Sequence, residues 1–255
     1  MEVYNPLDLT GKTILVTGAS SGIGRSIAGV LAKLNARLVI QGRDQPRLDA
    51  VRNELHNSSL HLASAFSFTG DDAAVVAWLK QLTSGATGLF HGMVHSAGVS
   101  QTVPLRVISR AHIDAIFQPN VYAALALLKA ASWKSVCADD SAIVLLSSVA
   151  SVAGFSGLSA YAASKGALNA LARSASLELA PRRIRVNCVA PALTETPMVG
   201  LAREELPGDF ARNEQKQFLG VLDPEEVAVA VSFLLSPAAR HITGTTLVMD
   251  GGRSC

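Results

Sequence analysis

The chain contains no uninterrupted apolar run near the ~20 residues that a membrane-spanning helix needs. Cysteine is scarce. Cys137, Cys188 and Cys255 are far apart and odd in number, so neither a disulfide framework nor a zinc knuckle is indicated. That usage fits a reducing cytosol. Charge is sparse too: charged residues make up 16%, the net charge is +2, and no basic run occurs. This pattern excludes nucleic acid and an anionic membrane surface as expected partners. The opening segment, Met1 to Lys12, is polar with Pro6 and two acids and does not read as a signal peptide. The expectation is a soluble, cytoplasmic protein.

Hydrophobic residues are abundant, at 49% of 255, which excludes disorder and supplies a sizeable core. Short apolar runs fall at Thr13–Val16, Arg37–Ile40, His61–Phe66, Gly92–His95, Ala142–Leu146, Arg185–Val189 and Thr246–Met249. Helical periodicity occupies Ile23–Leu34, Gln45–Leu55, Ala73–Leu82, Ala111–Ser132, Tyr161–Leu179 and Pro224–Leu235. This alternation predicts an α/β chain with a doubly wound parallel sheet and helices on both faces. In such a sheet the ligand crevice lies at the carboxyl ends of the strands. With no internal repeat or linker, residues 1–255 read as one domain. Residues 191–222 carry Pro191, Pro197, Pro207 and Gly208 with little periodicity, and are expected to form a lid over the crevice.

Directly after the first strand stands Thr17-Gly18-Ala19-Ser20-Ser21-Gly22-Ile23-Gly24. Strand, glycine-rich turn and helix together present backbone N–H groups to a pyrophosphate. The Gly-x-x-x-Gly-x-Gly spacing differs from the commonest dinucleotide fingerprint, and Arg25-Ser26 excludes a P-loop. Further along, Tyr161 and Lys165 lie at i and i+4 on one helix face. A nearby ammonium lowers a phenol's pKa and equips it for proton transfer, so the expectation is a lowered value for Tyr161. Ser148, thirteen residues before Tyr161, follows a strand and can donate to a developing oxyanion. Asn120 interrupts an apolar helix; taken alone, it reads as an interfacial or exposed residue.

With these residues in place the chain resembles the short-chain dehydrogenase/reductase family from about Leu9 to Gly252, in particular its 3-oxoacyl-carrier-protein reductase-like members. The family's Thr-Gly-x-x-x-Gly-x-Gly matches Thr17–Gly24. Its Asn, Ser, Tyr, Lys tetrad falls on Asn120, Ser148, Tyr161 and Lys165. Arg185-Val186-Asn187, Ala190-Pro191, Thr194-Glu195-Thr196-Pro197-Met198 and Asp250-Gly251-Gly252 match further family motifs. The resemblance implies a Rossmann-type sandwich with a seven-stranded parallel sheet. It also implies hydride transfer between a nicotinamide and a carbonyl or secondary alcohol. Tyr161 would exchange the proton, Ser148 polarise the carbonyl, Lys165 hold the nicotinamide ribose, and Asn120 hold a water. It further implies cofactor contacts from Gly18, Ser20, Ser21, Gly22, Ile23, Gly24, Ser67, Ser96, Ala97, Gly98, Pro191, Thr194 and Thr196. The family's Asn-Asn-Ala-Gly reads His95-Ser96-Ala97-Gly98 here, its adenine-contacting Asp is Ser67, and its Pro-Gly is Pro191-Ala192.

Cofactor choice is read at the end of the second strand. An acid there accepts from the ribose 2′-hydroxyl and an arginine pairs with a 2′-phosphate. Gly42 occupies the acid's position and Arg43 follows, with Arg47 as a second cation, which favours NADP(H) over NAD(H). Asp44 is the competing acid, or else the N-cap of the next helix. His91 and His95 have a zinc-like spacing, but on a strand their rings stand about 13 Å apart, too far for one metal. No metal is expected, and Cys188 reads as core.

Val152, Phe155, Leu158, Leu193 and Met198 predict an apolar substrate pocket beside Ser148. Arg182 matches a basic position that dockers of an acidic carrier protein use, whereas Asp139 and Asp140 would repel such a partner. The preferred reading is a small free carbonyl or alcohol substrate. The alternatives are a 3-oxoacyl-[acyl-carrier-protein] reductase and, more remotely, a non-catalytic NADP(H)-binding regulator. The resemblance also implies a two-fold homo-oligomer, a tetramer or a dimer. Small residues such as Ala123, Ala124, Ala126, Ala163, Ala167 and Ala170 would let its helices approach.

Overall fold

Every residue of Thr13–Thr17 is buried, the pattern of a strand covered on both faces. This strand, β1, sits at the centre of the computed structural model, which describes residues 5–68, 71–85, 87–205, 211–212 and 214–254. The other strands are β2 (Arg37–Gly42), β3 (Leu62–Ala65), β4 (Phe90–His95), β5 (Cys137–Leu146), β6 (Arg185–Pro191) and β7 (Thr246–Met249). They form one parallel seven-stranded sheet in the order β3-β2-β1-β4-β5-β6-β7. The fold is the Rossmann-type α/β sandwich expected. Because β4 returns to the far side of β1, the strand order reverses there, opening a crevice beyond Thr17 and His95.

The helices are α1 (Gly22–Lys33), α2 (Gln45–Glu54), α3 (Asp72–Ser84), α4 (Arg110–Phe117), α5 (Ala123–Ala131), α6 (Ser159–Glu178), α7 (Pro197–Glu205) and α8 (Pro224–Leu235). Alternation along the strands sends side chains to two cores. Ile14 and Val16 pack with Ile27, Leu31, Val231 and Leu234 on the α1 and α8 face. Leu15 packs with Trp78, Leu127 and Leu168 on the α3, α5 and α6 face. No described helix is long and apolar enough to cross a membrane.

Three expectations change. The helix expected over 111–132 is α4 and α5 joined by a π-turn, Gln118–Tyr122, which holds Asn120 fully buried. Such turns re-aim a side chain at a site. Strand β5 begins at Cys137 and bulges: Phe90 pairs with Cys137 and Gly92 with Ala142. Asp139 and Asp140 lie in that bulge, and they do not form a free acidic patch. Asp139 pairs with Arg182 at 2.8 Å and Asp140 with Arg183 at 2.5 Å. Finally, Ala123, Ala124 and Ala126 are buried inside the chain, so they offer nothing to a partner.

The segment expected to form a lid contains α7, and an isolated parallel bridge outside the seven-stranded sheet joins Thr194 to Leu222. Gln217 fastens it, accepting from Leu193 N–H at 3.1 Å and donating to Leu193 O at 3.1 Å and Gly220 O at 2.7 Å. Residues 206–210 and 213 of the expected lid, Pro207 and Gly208 among them, lie outside the described residues, as does Cys255.

Candidate active site

The turn after β1 is shaped by close approach. Gly18 adopts φ +66°, and a Cβ there would stand 2.7 Å from the Ala97 backbone. A Cβ on Gly24 would stand 2.3 Å from Gly18 O, so helix α1 meets the turn backbone to backbone. Thr17 Oγ1 accepts from Ala97 N–H at 3.2 Å, and Gln41 Oε1 accepts from Gly18 N–H at 3.3 Å. Helices α2, α3, α4 and α8 each carry a side-chain N-cap, but Ser21 makes none for α1 and no acid stands in its first turn. The α1 N-terminus therefore keeps its N–H groups for an anion. Ser20, Gly22 and Ile23 line this end. Thr196, just before α7, packs against Gly22, 3.3 Å from where a Cβ would sit.

At the end of β2, Gly42 is buried and Arg43 is exposed. Asp44 is the N-cap of α2, accepting from Arg47 N–H at 3.1 Å. No hydrogen bond or ion pair engages the Arg43 side chain among the described residues. Ser67 is exposed just past β3.

The four tetrad residues converge at the carboxyl ends of β4 and β5. The Tyr161 phenol stands beside Ser148, whose hydroxyl favours the phenolate and whose Oγ accepts from Ala150 N–H at 3.2 Å. Lys165 is buried, and its ammonium donates to Leu146 O at 2.7 Å and lies 5.7 Å from the Tyr161 ring centroid. Burial pulls the Lys165 pKa down to about 8. The expectation of a lowered Tyr161 pKa is not met: burial raises it, and the neighbouring Ser148 hydroxyl offsets only part of that. Asn120, which alone reads as exposed, accepts from Val99 N–H at 2.9 Å and donates to Val99 O at 3.0 Å and Ser164 Oγ at 2.9 Å. It fixes the loop after Gly98, where a Cβ would lie 3.3 Å from Lys165 Nζ.

Pro191 ends β6 against Met249, and Thr194 donates to Ala192 O at 3.0 Å. Of the expected substrate residues, Val152 and Met198 are about half exposed, while Phe155 lies under the Arg253 guanidinium at 4.4 Å. His91 and His95 hold separate partners. His91 Nδ1 accepts from Thr13 N–H at 3.2 Å. His95 is buried between Thr17 Oγ1, 3.1 Å from Nδ1, and Pro119 O, 3.0 Å from Nε2. Since the carbonyl only accepts, Nε2 carries the proton and Nδ1 accepts from the threonine hydroxyl. Burial holds the His95 pKa down to about 4, so the ring is neutral. Gln41 and Ser164 are not evident from the sequence patterns above; the signal for Gln41 is a polar residue closing the apolar run 38–40.

Glycine turn, uncapped helix and the Ser, Tyr, Lys cluster at a sheet switch point define a dinucleotide-dependent oxidoreductase. The family described as enoyl-(acyl carrier protein) reductase matches residues 18–254. A tropinone reductase homolog of Arabidopsis thaliana is 33% identical, over 99% of this chain and 96% of its own. A 3-oxoacyl-[acyl-carrier-protein] reductase of Rickettsia prowazekii is 34% identical, over 96% and 98%. Among solved structures, a 3-ketoacyl-(acyl-carrier-protein) reductase from Brucella melitensis, complexed with NADH, is similar at a TM-score of 0.86 and 29% identity, over 97% of this chain and all of that one. The chain belongs to the short-chain dehydrogenase/reductase family, whose members are oxidoreductases that bind a nicotinamide cofactor.

Proposed function

We propose that this chain, as one domain with a lid over residues 191–222, interconverts a ketone and a secondary alcohol with NADP(H), as an oxidoreductase acting on CH–OH donors. The observation that carries the reading is Ser148 and Tyr161 brought together beside buried Lys165, at the same sheet edge as the open glycine turn. The residues fit a dinucleotide. Gly18 to Gly24 and the α1 N-terminus would hold its pyrophosphate, and Ser67 would face the adenine. Ser96 to Gly98, Pro191, Thr194 and Thr196 would line the nicotinamide half. When bound, the nicotinamide supplies or accepts the hydride. Ser148 orients the substrate oxygen and Tyr161 exchanges its proton. Lys165, protonated below about pH 8, holds positive charge near the phenol. Asn120 keeps the 98–99 loop against Lys165.

NADP(H) is favoured because Gly42 leaves no acid at the end of β2, Asp44 is committed to its cap, and Arg43 is unengaged. A free, apolar substrate is favoured over a carrier-bound one. Arg182 is taken up by Asp139 and by the Ala131, Ser132 and Cys137 carbonyls, which supports a bracing role rather than docking. Two buried free thiols, Cys137 and Cys188, support a reducing, cytoplasmic setting. The exposed faces of α5 and α6, with Tyr122, Leu125 and Leu177, support a homo-oligomer.

The test is NADPH oxidation across a panel of ketones, 3-oxoacyl thioesters and keto-sugars, with Tyr161→Phe beside wild type. Tyr161→Phe is expected to abolish turnover and to leave NADPH affinity within a few-fold, because the ring still packs. Activity above about a tenth of wild type would remove Tyr161 from the acid/base role.

A further inference from the structure

Ser148 sits at the head of a short turn, Val149–Ser151, and a second set of contacts outside the tetrad holds that turn. Ser151 Oγ donates to Ser148 O at 2.6 Å. Ser151 Oγ in turn accepts from Asn169 Nδ2 at 2.8 Å. Asn169 lies one helical turn beyond Lys165 and two beyond Tyr161, so α6 presents phenol, ammonium and amide along one face. The amide is buried, and its Oδ1 has no hydrogen-bond partner among the described residues. A leucine would fill the same space without an orphaned acceptor, so packing alone gives no reason for an asparagine here. The donor half of the amide is the half in use, and it reaches only the turn that carries Ser148.

We infer that Asn169 and Ser151 are positioning residues that hold the Ser148 hydroxyl on Tyr161 through the Asn169–Ser151–Ser148 hydrogen-bond chain. The backbone at Ser148 is fixed from behind by its own carbonyl, while its Oγ is fixed in front by Ala150 N–H. Loosening the rear contact lets the turn rotate and takes the hydroxyl off the phenol. The inference rests on Ser148 and Tyr161 being the reacting pair.

The test reads Tyr161 directly, by NMR of protein labelled with ¹³Cζ-tyrosine. The chain has three tyrosines, so the Tyr161 signal is assigned by its loss in Tyr161→Phe. Asn169→Leu and Ser151→Ala are each expected to shift the Tyr161 signal and raise the pH at which it titrates, leaving Tyr122 in place. Ser151→Thr, which keeps the hydroxyl, is expected to restore the wild-type signal. On a ketone that wild type reduces, both disruptive variants should lower kcat roughly ten- to a hundredfold with KM little changed. The double variant should lose no more than either single one, because both break one chain. A Tyr161 signal unmoved in Ser151→Ala overturns the inference, and this variant reads the turn whether or not Asn169→Leu folds. A panel with no turnover would instead defeat the catalytic reading, with the NMR result still deciding the brace.

Discussion

At the residue scale, the end of β2 sets the sharpest expectation. If Arg43 pairs with a 2′-phosphate, Arg43→Ala weakens NADPH binding by roughly 1.5–3 kcal/mol, the value of a hydrogen bond to a charged group. NADH binding barely changes. Gly42→Asp adds a carboxylate for ribose hydroxyls; its Cβ would lie 3.2 Å from Leu48 Cδ2, a flexible side-chain end that can give way. Titrating both cofactors by fluorescence checks the pair, and a wild type that already prefers NADH would contradict it. Residues of this kind are legible because their chemistry is written in residue type and spacing: the glycine turn follows β1, Asp44 caps α2, and Tyr161 and Lys165 share one face of α6. The raised pKa of Tyr161 was not legible. It depends on how much water the folded crevice removes, and pair spacing carries no information on that.

His95 illustrates the same limit and carries a pH prediction. Its pKa is about 4 in the folded protein against 6.5 for a free imidazole. The unfolded chain therefore binds the extra proton between these values, and stability falls as pH drops through that window. Between pH 7 and 5 the loss from this ring alone is about 2 kcal/mol. Urea denaturation at both pH values should show His95→Asn with a smaller acid-induced loss than wild type. Equal losses in the two proteins would show that the ring is not held neutral.

At the element scale, the junctions between helices and strands decide where side chains point. The π-turn at Gln118–Tyr122 turns Asn120 inward, and the His95 contact to Pro119 O ties that turn to β4. Apolar periodicity predicted one long helix here, since one extra residue in a helical turn leaves the pattern almost intact. The β5 bulge was missed for a related reason: its acids look like surface charge until Arg182 and Arg183 are seen beside them. Arg185 does comparable work at the end of α8. Its guanidinium reaches Leu234 O at 2.7 Å, Ser236 O at 3.2 Å and Ile242 O at 3.3 Å. Arg185→Met should lower stability by about 2 kcal/mol, the order of a charge-assisted hydrogen bond. A thermal midpoint within a degree of wild type would refute that role.

At the scale of the whole molecule, light scattering at micromolar concentration should give a multiple of the 26.6 kDa chain mass, with two-fold symmetry. A monomeric mass would count against it. Of the alanines that sequence alone assigned to this contact, Ala123, Ala124 and Ala126 are spent inside the core, whereas Ala163 and Ala170 on α6 are exposed. The exposed large side chains Tyr122, Leu125 and Leu177 remain, so Leu125→Glu should shift the distribution toward monomer.

The placement of β1 between β2 and β4 has a consequence for synthesis on the ribosome. β1 and β2 can pair as soon as residue 42 has emerged, but the other edge of β1 waits for residues 92–95. Throughout that interval the nascent chain presents Ile14, Leu15 and Val16 on an unpaired strand edge, a template for pairing with another chain. Anything that stalls translation between these points prolongs the exposure, so chains cut short before β4 should be captured by holdase chaperones or aggregate, whereas the complete chain closes that edge itself.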